Sequence, residues 1–206
     1  MKFFRSFPNL VSNNEFLTNL LVRTDLLPSL SQNSSLFYKY EMQDGDTPEI
    51  IASKYYNDPY RYWLFLYSNN IMDPQWDLVL STKLFDVYLE SKYKDIATLN
   101  NQTVLEYTQT TVKYYYKNIT TFDEYSKTTS SDDYQIDFDT YLELPESQTF
   151  VVLLDNGFTS TITTSKFEQN IYDHELQLNE NKRTVKIMDV AYAKDMENQM
   201  TSLLSI

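Results

Sequence analysis

The sequence predicts an α+β fold, and three observations carry that prediction. Two capped helix starts stand close together, at Thr47-Pro48-Glu49 and Asn57-Asp58-Pro59. From about residue 103 the texture changes to Thr, Tyr and Val, types that favour strands. The last segment places Ala193, Met196, Met200, Leu203 and Leu204 at the spacing of an amphipathic helix. Helical and strand-like stretches are thus segregated along the chain, not alternating.

The elements follow in order. Residues 1–35 are weakly patterned. Phe16, Leu20 and Leu21 suggest a short helix within an extended arm, which Pro28 and the Ser/Asn stretch close. Residues 36–42 read as a strand, and Gln43-Asp44-Gly45-Asp46 is a turn signal. Thr47 can cap a helix with its hydroxyl, and Pro48 lacks an N–H that would have no partner there. Ile50, Ile51, Lys54 and Tyr55 fall on one side of that helix. A second helix from Asp58 to about Asn69 is apolar nearly all round, so it is expected to be buried on several sides. Ile71 to Leu80 reads as a second strand, broken at Asp73-Pro74. Ser81 then caps a third helix with a stripe of Leu84, Phe85, Tyr88, Leu89 and Tyr93. Residues 104–116 read as a strand, Ser126 to Asp133 as a loop, and residues 134–138 as an alternating strand. Phe150 to Leu154, Asn156-Gly157 and Phe158 to Thr164 give the clearest hairpin signal. A helix over 170–181, a strand over 184–188 and the terminal helix complete the chain. The expected regions are an arm at 1–35, a strand–helix unit at 36–95, a β-rich middle at 96–168 and a C-terminal portion at 169–206.

Composition limits the chemistry. A chain of 206 residues can bury a sizeable core without a disulfide or metal. Cys 0 removes disulfides, thiolate metal sites and thiol nucleophiles together. Gly 2 argues against glycine-rich phosphate loops, whereas Tyr 18 and Phe 12 suggest much contact surface. A net charge of -12, from 17 basic and 29 acidic residues, argues against nucleic acid and anionic membrane as direct partners. The start, Met1-Lys2-Phe3-Phe4-Arg5, begins like a signal peptide, but Pro8, Asn9 and Ser12 break the apolar stretch. The chain is therefore expected to be soluble and used without secretion by itself. The longest apolar runs are too short to span a bilayer.

No catalytic constellation is evident. His174 is the only histidine, and the zinc pair that His174-Glu175 would begin fails because position 178 is Leu178. Acidic pairs such as Asp132-Asp133 and Asp137/Asp139 lack calcium-loop spacing and are expected on solvated faces. Two carboxylates could still serve a glycosidase, but only if they faced each other across a cleft. No cofactor, metal or catalytic residue is expected.

The most informative stretch is residues 38–74. Its Gly45-Asp46-Thr47 turn, Ile51-Ala52…Lys54-Tyr55 helix, Trp63 and Asn69-Asn70-Ile71…Asp73-Pro74 exit resemble the LysM module, a βααβ unit. Gly45 permits the tight turn, Thr47 caps, Ile51 packs under the strands and Trp63 fills the core. The closing Gly and Pro of that module are absent, and the second helix is far more aromatic than a free glycan binder would present. The same stretch, with Asp58-Pro59, Tyr62-Trp63 and Leu66, resembles the baseplate wedge protein 53 family of contractile-tailed phages. A second patch agrees: Tyr172-Asp173-His174-Glu175, then Asn179-Glu180, Arg183 and Val185-Lys186-Ile187.

That resemblance implies a structural, non-enzymatic virion subunit assembled in the host cytoplasm. It would join neighbouring wedges around the hub, with other wedge and hub proteins as partners. The alternative, a LysM-type peptidoglycan-binding module of a tail or cell-wall protein, explains the turn only; peptidoglycan is not an expected partner. An apolar second helix discriminates, because a glycan binder keeps that surface wet and an assembly subunit buries it. Tyr60, Tyr62 and Phe65, with Met196, Met200 and Leu203 of the terminal stripe, are the expected partner contacts. The N-terminal arm is expected to order on binding.

Overall fold

The computed structural model describes residues 7–12, 14–19 and 33–204. The fold is α+β, and the chain divides into two units: residues 1–85 with 179–206, and residues 86–178.

In the first unit, β1 (Asn9–Ser12) and β2 (Glu15–Thr18) form an antiparallel hairpin. Asn14 takes a left-handed φ of 66° at its turn, a conformation Asn tolerates. This corrects the helix expected at Phe16, which sits in β2 opposite Val11; Leu20 and Leu21 lie outside the described residues. Strand β3 (Phe37–Glu41) leads through the turn to α1 (Pro48–Tyr56). The Thr47 hydroxyl accepts the Ile50 N–H at 3.3 Å, and Asn57 ends the helix in a left-handed conformation. Asp58 caps a 3-10 turn by accepting the Tyr60 N–H at 2.9 Å, and α2 (Tyr62–Ser68) follows. The buried side of α1 is Pro48, Ile51, Ala52 and Tyr56, while Ile50 and Tyr55 are exposed. The expected side was thus rotated by about one residue. Helix α2 buries Trp63, Leu64 and Phe65, consecutive residues that no amphipathic stripe would contain.

The strand expected at Ile71 to Leu80 does not form. Asp77 instead accepts the N–H groups of Met72 and Asp73, both at 2.9 Å, and holds the stretch as a turn. The partner of β3 is β8 (Thr184–Met188), paired antiparallel from Phe37↔Met188 to Glu41↔Thr184. The terminal helix α7 (Val190–Leu204; α3 to α6 belong to the middle of the chain, below) buries Ala193, Met200 and Leu204. Those side chains join Ile51, Trp63 and Ile187 in one apolar core.

The second unit begins within α3 (Thr82–Leu99) and ends within α6 (Ile171–Glu180). Along α3 the expected stripe holds for Phe85, Leu89 and Tyr93, whereas Leu84 is exposed. Residues 104–110 form α4 (Val104–Thr110), not the start of a strand. The reason is a reciprocal capping box: the Thr103 hydroxyl accepts the Glu106 N–H while the Glu106 carboxylate accepts the Thr103 N–H. Strands β4 (Val112–Asp123), β5 (Thr128–Ile136), β6 (Ser147–Leu153) and β7 (Thr159–Asn170) form an antiparallel sheet of order β5-β4-β7-β6. The polar segment expected to be a loop over 126–133 is mostly β5, fixed by its pairing with β4 and not by propensity. Phe138 begins α5 (Phe138–Glu143) and does not extend a strand, because Asp137 caps that helix by accepting the Thr140 N–H at 2.9 Å. The expected hairpin is present as β6 and β7, with Gly157 at φ 83° in its turn.

Phe65 is fully buried, so Phe65→Ala should cost about 3–5 kcal/mol of stability. Thermal unfolding checks this; a shift near zero would mean that α2 is not core.

Candidate assembly surface

The two sequence patches that carry the family resemblance meet, in part, at one turn. Gly45 has φ 90° and nothing near the position of a Cβ, so its role is conformational and not steric. Asp46 folds back under the turn. Its carboxylate accepts from the Tyr40 hydroxyl at 2.6 Å, the Gln43 N–H at 2.9 Å and the Lys54 ammonium at 2.7 Å. Burial pushes the Asp46 carboxyl up, but hydrogen bonds from Lys54, Tyr40 and Gln43 outweigh it and hold it below its ordinary range.

Arg183 closes the same turn from the C-terminal side. Its guanidinium grips Glu180 in a bidentate pair at 2.6 and 2.8 Å and donates to the Met42 carbonyl at 2.9 Å. The Met42 N–H in turn donates to the Arg183 carbonyl at 3.0 Å. Asn179 completes the patch in a different way. Its side-chain amide mimics a peptide, accepting the Leu80 N–H at 2.8 Å and donating to the Leu80 carbonyl at 3.0 Å. Asn69 does likewise to Lys186 of β8, at 2.7 Å in both directions. Arg183 therefore ties residues 180–183 to residues 42–44, while Asp46 and Asn179 fasten the turn's flanks to Lys54 and Leu80. Tyr172 and Asp173, the remaining motif residues, lie in the other unit, at the start of α6.

That unit carries a cluster that the sequence reading passed over. Glu175, only 4% exposed, accepts from Tyr93 at 2.6 Å, Lys92 at 2.8 Å and Tyr88 at 2.9 Å. Burial raises the Glu175 carboxyl, and the Lys92, Tyr93 and Tyr88 hydrogen bonds bring it below its usual value. Its signal was available: Tyr88, Lys92 and Tyr93 share one face of a helix. His174 is half-buried with its ring edge-on to Tyr114 at 5.0 Å, a packing role. Asp46, Glu175 and Glu180 are all held in ion pairs, which suits structural locks and not acid–base exchange. Among the described residues, no group of His, Asp or Glu could hold a metal ion. Nor is any helix among them long and apolar enough to cross a membrane.

The expected contact residues divide between surface and core. Tyr60 and Leu203 are exposed, at 54% and 59%, and Tyr62 and Met196 are half-buried. Phe65 and Met200, expected as partner contacts, are in the core, so charge placed there would unfold the unit and not merely block contacts. The N-terminal hairpin is also strongly exposed, with Phe16 at 79%. The pair Leu10↔Leu17 lies on one face of that ribbon and Val11↔Phe16 on the other, and all four are open to solvent. Just before the hairpin, Phe7 is buried in the core cluster and anchors it.

Two comparisons bear on this surface. The family described as base plate wedge protein 53 matches the chain over residues 29–206. No curated protein matches it. The matched span includes the Gly45 turn and the whole C-terminal patch, and the hairpin precedes it.

Two outcomes follow for the lock. Gly45→Val should lower stability by about 1–3 kcal/mol through backbone strain alone, read as a fall in melting temperature; an unchanged value would show that position 45 has ordinary angles. Because the folded Asp46 and Glu175 carboxyls titrate below their unfolded values, their contribution is full above the ordinary carboxylate range of about 4 and lost as pH falls through the lower folded values. A melting-temperature profile should therefore drop on the acid side, and Asp46→Asn should flatten that drop. An identical acid limb in the variant would contradict the role given to Asp46.

Proposed function

The chain belongs to the base plate wedge protein 53 family, and from that premise we propose that it joins neighbouring wedges around the hub by protein–protein contacts alone. Membership makes it a structural subunit of the phage tail baseplate, located in the virion, with other baseplate proteins as its partners. The joining role is the further step. One observation supports it above others: the N-terminal hairpin is apolar on both faces and covered on neither. A two-stranded ribbon alone in water is marginally stable, so it gains order by lying between surfaces. A ribbon with two sticky faces suits insertion between two bodies, whereas a single-faced patch would suit attachment to one.

We read β3, α1, α2 and β8 as a LysM-like βααβ unit whose last strand arrives from the C-terminal region. Order and antiparallel pairing support that reading. Glycan recognition is no part of the proposed role. Trp63, Leu64 and Phe65 are buried by the chain itself and offer no wet aromatic surface to a sugar. Nucleic acid remains an unsuitable partner for a chain of net charge -12. Nor is catalysis part of this reading, since Asp46, Glu175 and Glu180 are engaged in locks.

The test is a double substitution, Leu10→Asp with Phe16→Asp, at exposed positions that the core does not need. Circular dichroism should be unchanged, while electron microscopy of assembly products should show separate wedges in place of closed baseplates. The same protein should stay in the supernatant when purified peptidoglycan is pelleted, as should the natural sequence. Closed baseplates built with the folded variant would contradict the joining role, and saturable pelleting would favour the glycan-binding alternative.

A further inference from the structure

The four-stranded sheet has two edges, and they are built differently. Strand β5 carries Asp132 and Asp133, one on each face, charges that discourage another strand from pairing with it. Strand β6, Ser-Gln-Thr-Phe-Val-Val-Leu, has no charge and no proline. Its last four residues, Phe150, Val151, Val152 and Leu153, alternate between the two faces, and all four are exposed. Among the described residues β7 is the one strand paired with it, so its other side is a free edge of the sheet.

The backbone register says which groups that edge offers. Leu154 donates its N–H to the Phe158 carbonyl at 2.8 Å, across the β6–β7 hairpin. The pairing then continues without a bulge from Leu153↔Thr159 to Ser147↔Ser165. Successive residues of a strand direct their main-chain groups to opposite sides. Phe150 and Val152 therefore turn theirs toward β7, whereas Thr149, Val151 and Leu153 turn theirs outward.

This edge matches itself. Let a second β6 run antiparallel, with Val151 on the two-fold axis. Val151 then faces its own copy and exchanges both main-chain bonds with it, and Thr149 does the same with Leu153. On the other face of the sheet Phe150 meets Val152, once on each side of the axis. Every one of these cross-strand pairs contains an apolar residue, and none contains a charge. The flanking acids do not meet either, because Glu146 falls opposite Asn156 and Asp155 opposite Ser147. Since β6 is uncharged, charge does not select a foreign strand for it; the match of apolar side chains selects its own copy. A two-fold pairing of β5 would instead crowd Asp132 and Asp133 of both copies together, like charges that oppose it.

We propose that the free chain pairs with a second copy through β6, the two strands antiparallel about a two-fold axis at Val151, so that two four-stranded sheets become one of eight. Such a contact uses the same surface on both copies and closes at two. It covers the apolar edges and leaves the charged β5 edges at the two ends of the sheet. No hairpin residue takes part, so the contact goes beyond the joining role and does not depend on it.

Sedimentation equilibrium of the full chain should show a dimer that tightens with added salt, because each copy carries a net charge of -12 while β6 itself is neutral. Val151→Lys sets two ammonium groups side by side on the axis. It should weaken the dimer by about tenfold or more, equal to ~1.4 kcal/mol, with an unchanged circular dichroism spectrum. Thiols read the register separately, since the chain has no cysteine. Val151→Cys, oxidised with glutathione disulfide, should form a homodisulfide, its Cα atoms being about 5.5 Å apart. Leu153→Cys alone should not, because the two copies of position 153 lie roughly 14 Å apart along the strands; mixed with Thr149→Cys it should. Ser130→Cys on β5 is the control edge, and all four positions are exposed. If Val151→Lys does not fold, the disulfide pattern decides alone. A monomer at every concentration, a dimer that salt disperses, or a dimer that Val151→Lys leaves intact would overturn the proposal. So would a homodisulfide at position 151 no more abundant than that at position 130. The Leu10→Asp, Phe16→Asp protein should dimerise as the natural chain does, which keeps this test apart from that of the joining role. A dimer lost in that protein and kept in Val151→Lys would assign the contact to the hairpin and overturn the proposal as well.

Discussion

The structure of the first unit depends on a single antiparallel ladder, β3 with β8. It binds residues 37–41 to residues 184–188, and the Tyr38 hydroxyl extends it by donating to Asp189, 151 positions away, at 2.6 Å. Without β8 the apolar undersides of α1 and α2 would have no sheet to lie on. Val185, Ile187 and Met188, all buried, would leave the core together. The other edge of β8 receives the Asn69 amide at Lys186, so the end of α2 is fixed to the same strand. Joining segments so far apart is less costly than it looks. Closure entropy rises only logarithmically, by about 0.6 kcal/mol per doubling of the loop. A separate folded unit can therefore occupy the interval without greatly weakening the ladder.

Legibility from sequence followed the range of the interaction. Caps and turns were readable because their chemistry lies within a few residues: Thr47 and Asp58 cap as expected, and Gly45 and Gly157 take positive φ. The ladder was not readable, because the nearer stretch at 71–80 carries strand-like apolar residues, and its Asp73-Pro74 break did not show that Asp73 and Asp77 hold the stretch as a turn. The capping box at Thr103 and Glu106 was present in the sequence, yet β-branched composition masked it. Strand β5 was legible only at its end, Tyr134–Ile136; its polar first part became a strand because β4 offered it a partner.

The candidate surface divided in the same manner. Gly45, Asp46, Thr47, Asn179, Glu180 and Arg183 were recognisable as motifs; Glu180 and Arg183 hold each other, while Thr47, Asp46 and Asn179 hold Ile50, Lys54 and Leu80. Phe65 and Met200 were misplaced for a physical reason. Periodicity identifies an apolar stripe but does not say which members a neighbouring element covers. In α2 that neighbour reaches almost all round, and in α7 the covered set is Ala193, Met200 and Leu204, leaving Leu203 out. The resulting division of labour is coherent. Charged and polar side chains lock the fold internally, while the N-terminal ribbon leaves apolar side chains exposed on both faces, where partners can reach them.

Native-state amide hydrogen exchange on the full chain tests the ladder most directly. If β8 closes the first unit, amides in 37–41 and 184–188 should exchange together, with one protection and one denaturant dependence, matching those of α1 and α2. Loss of protection in residues 184–188 while 37–41 and 48–68 stay protected would contradict the account, since the unit would then be closed by something other than β8.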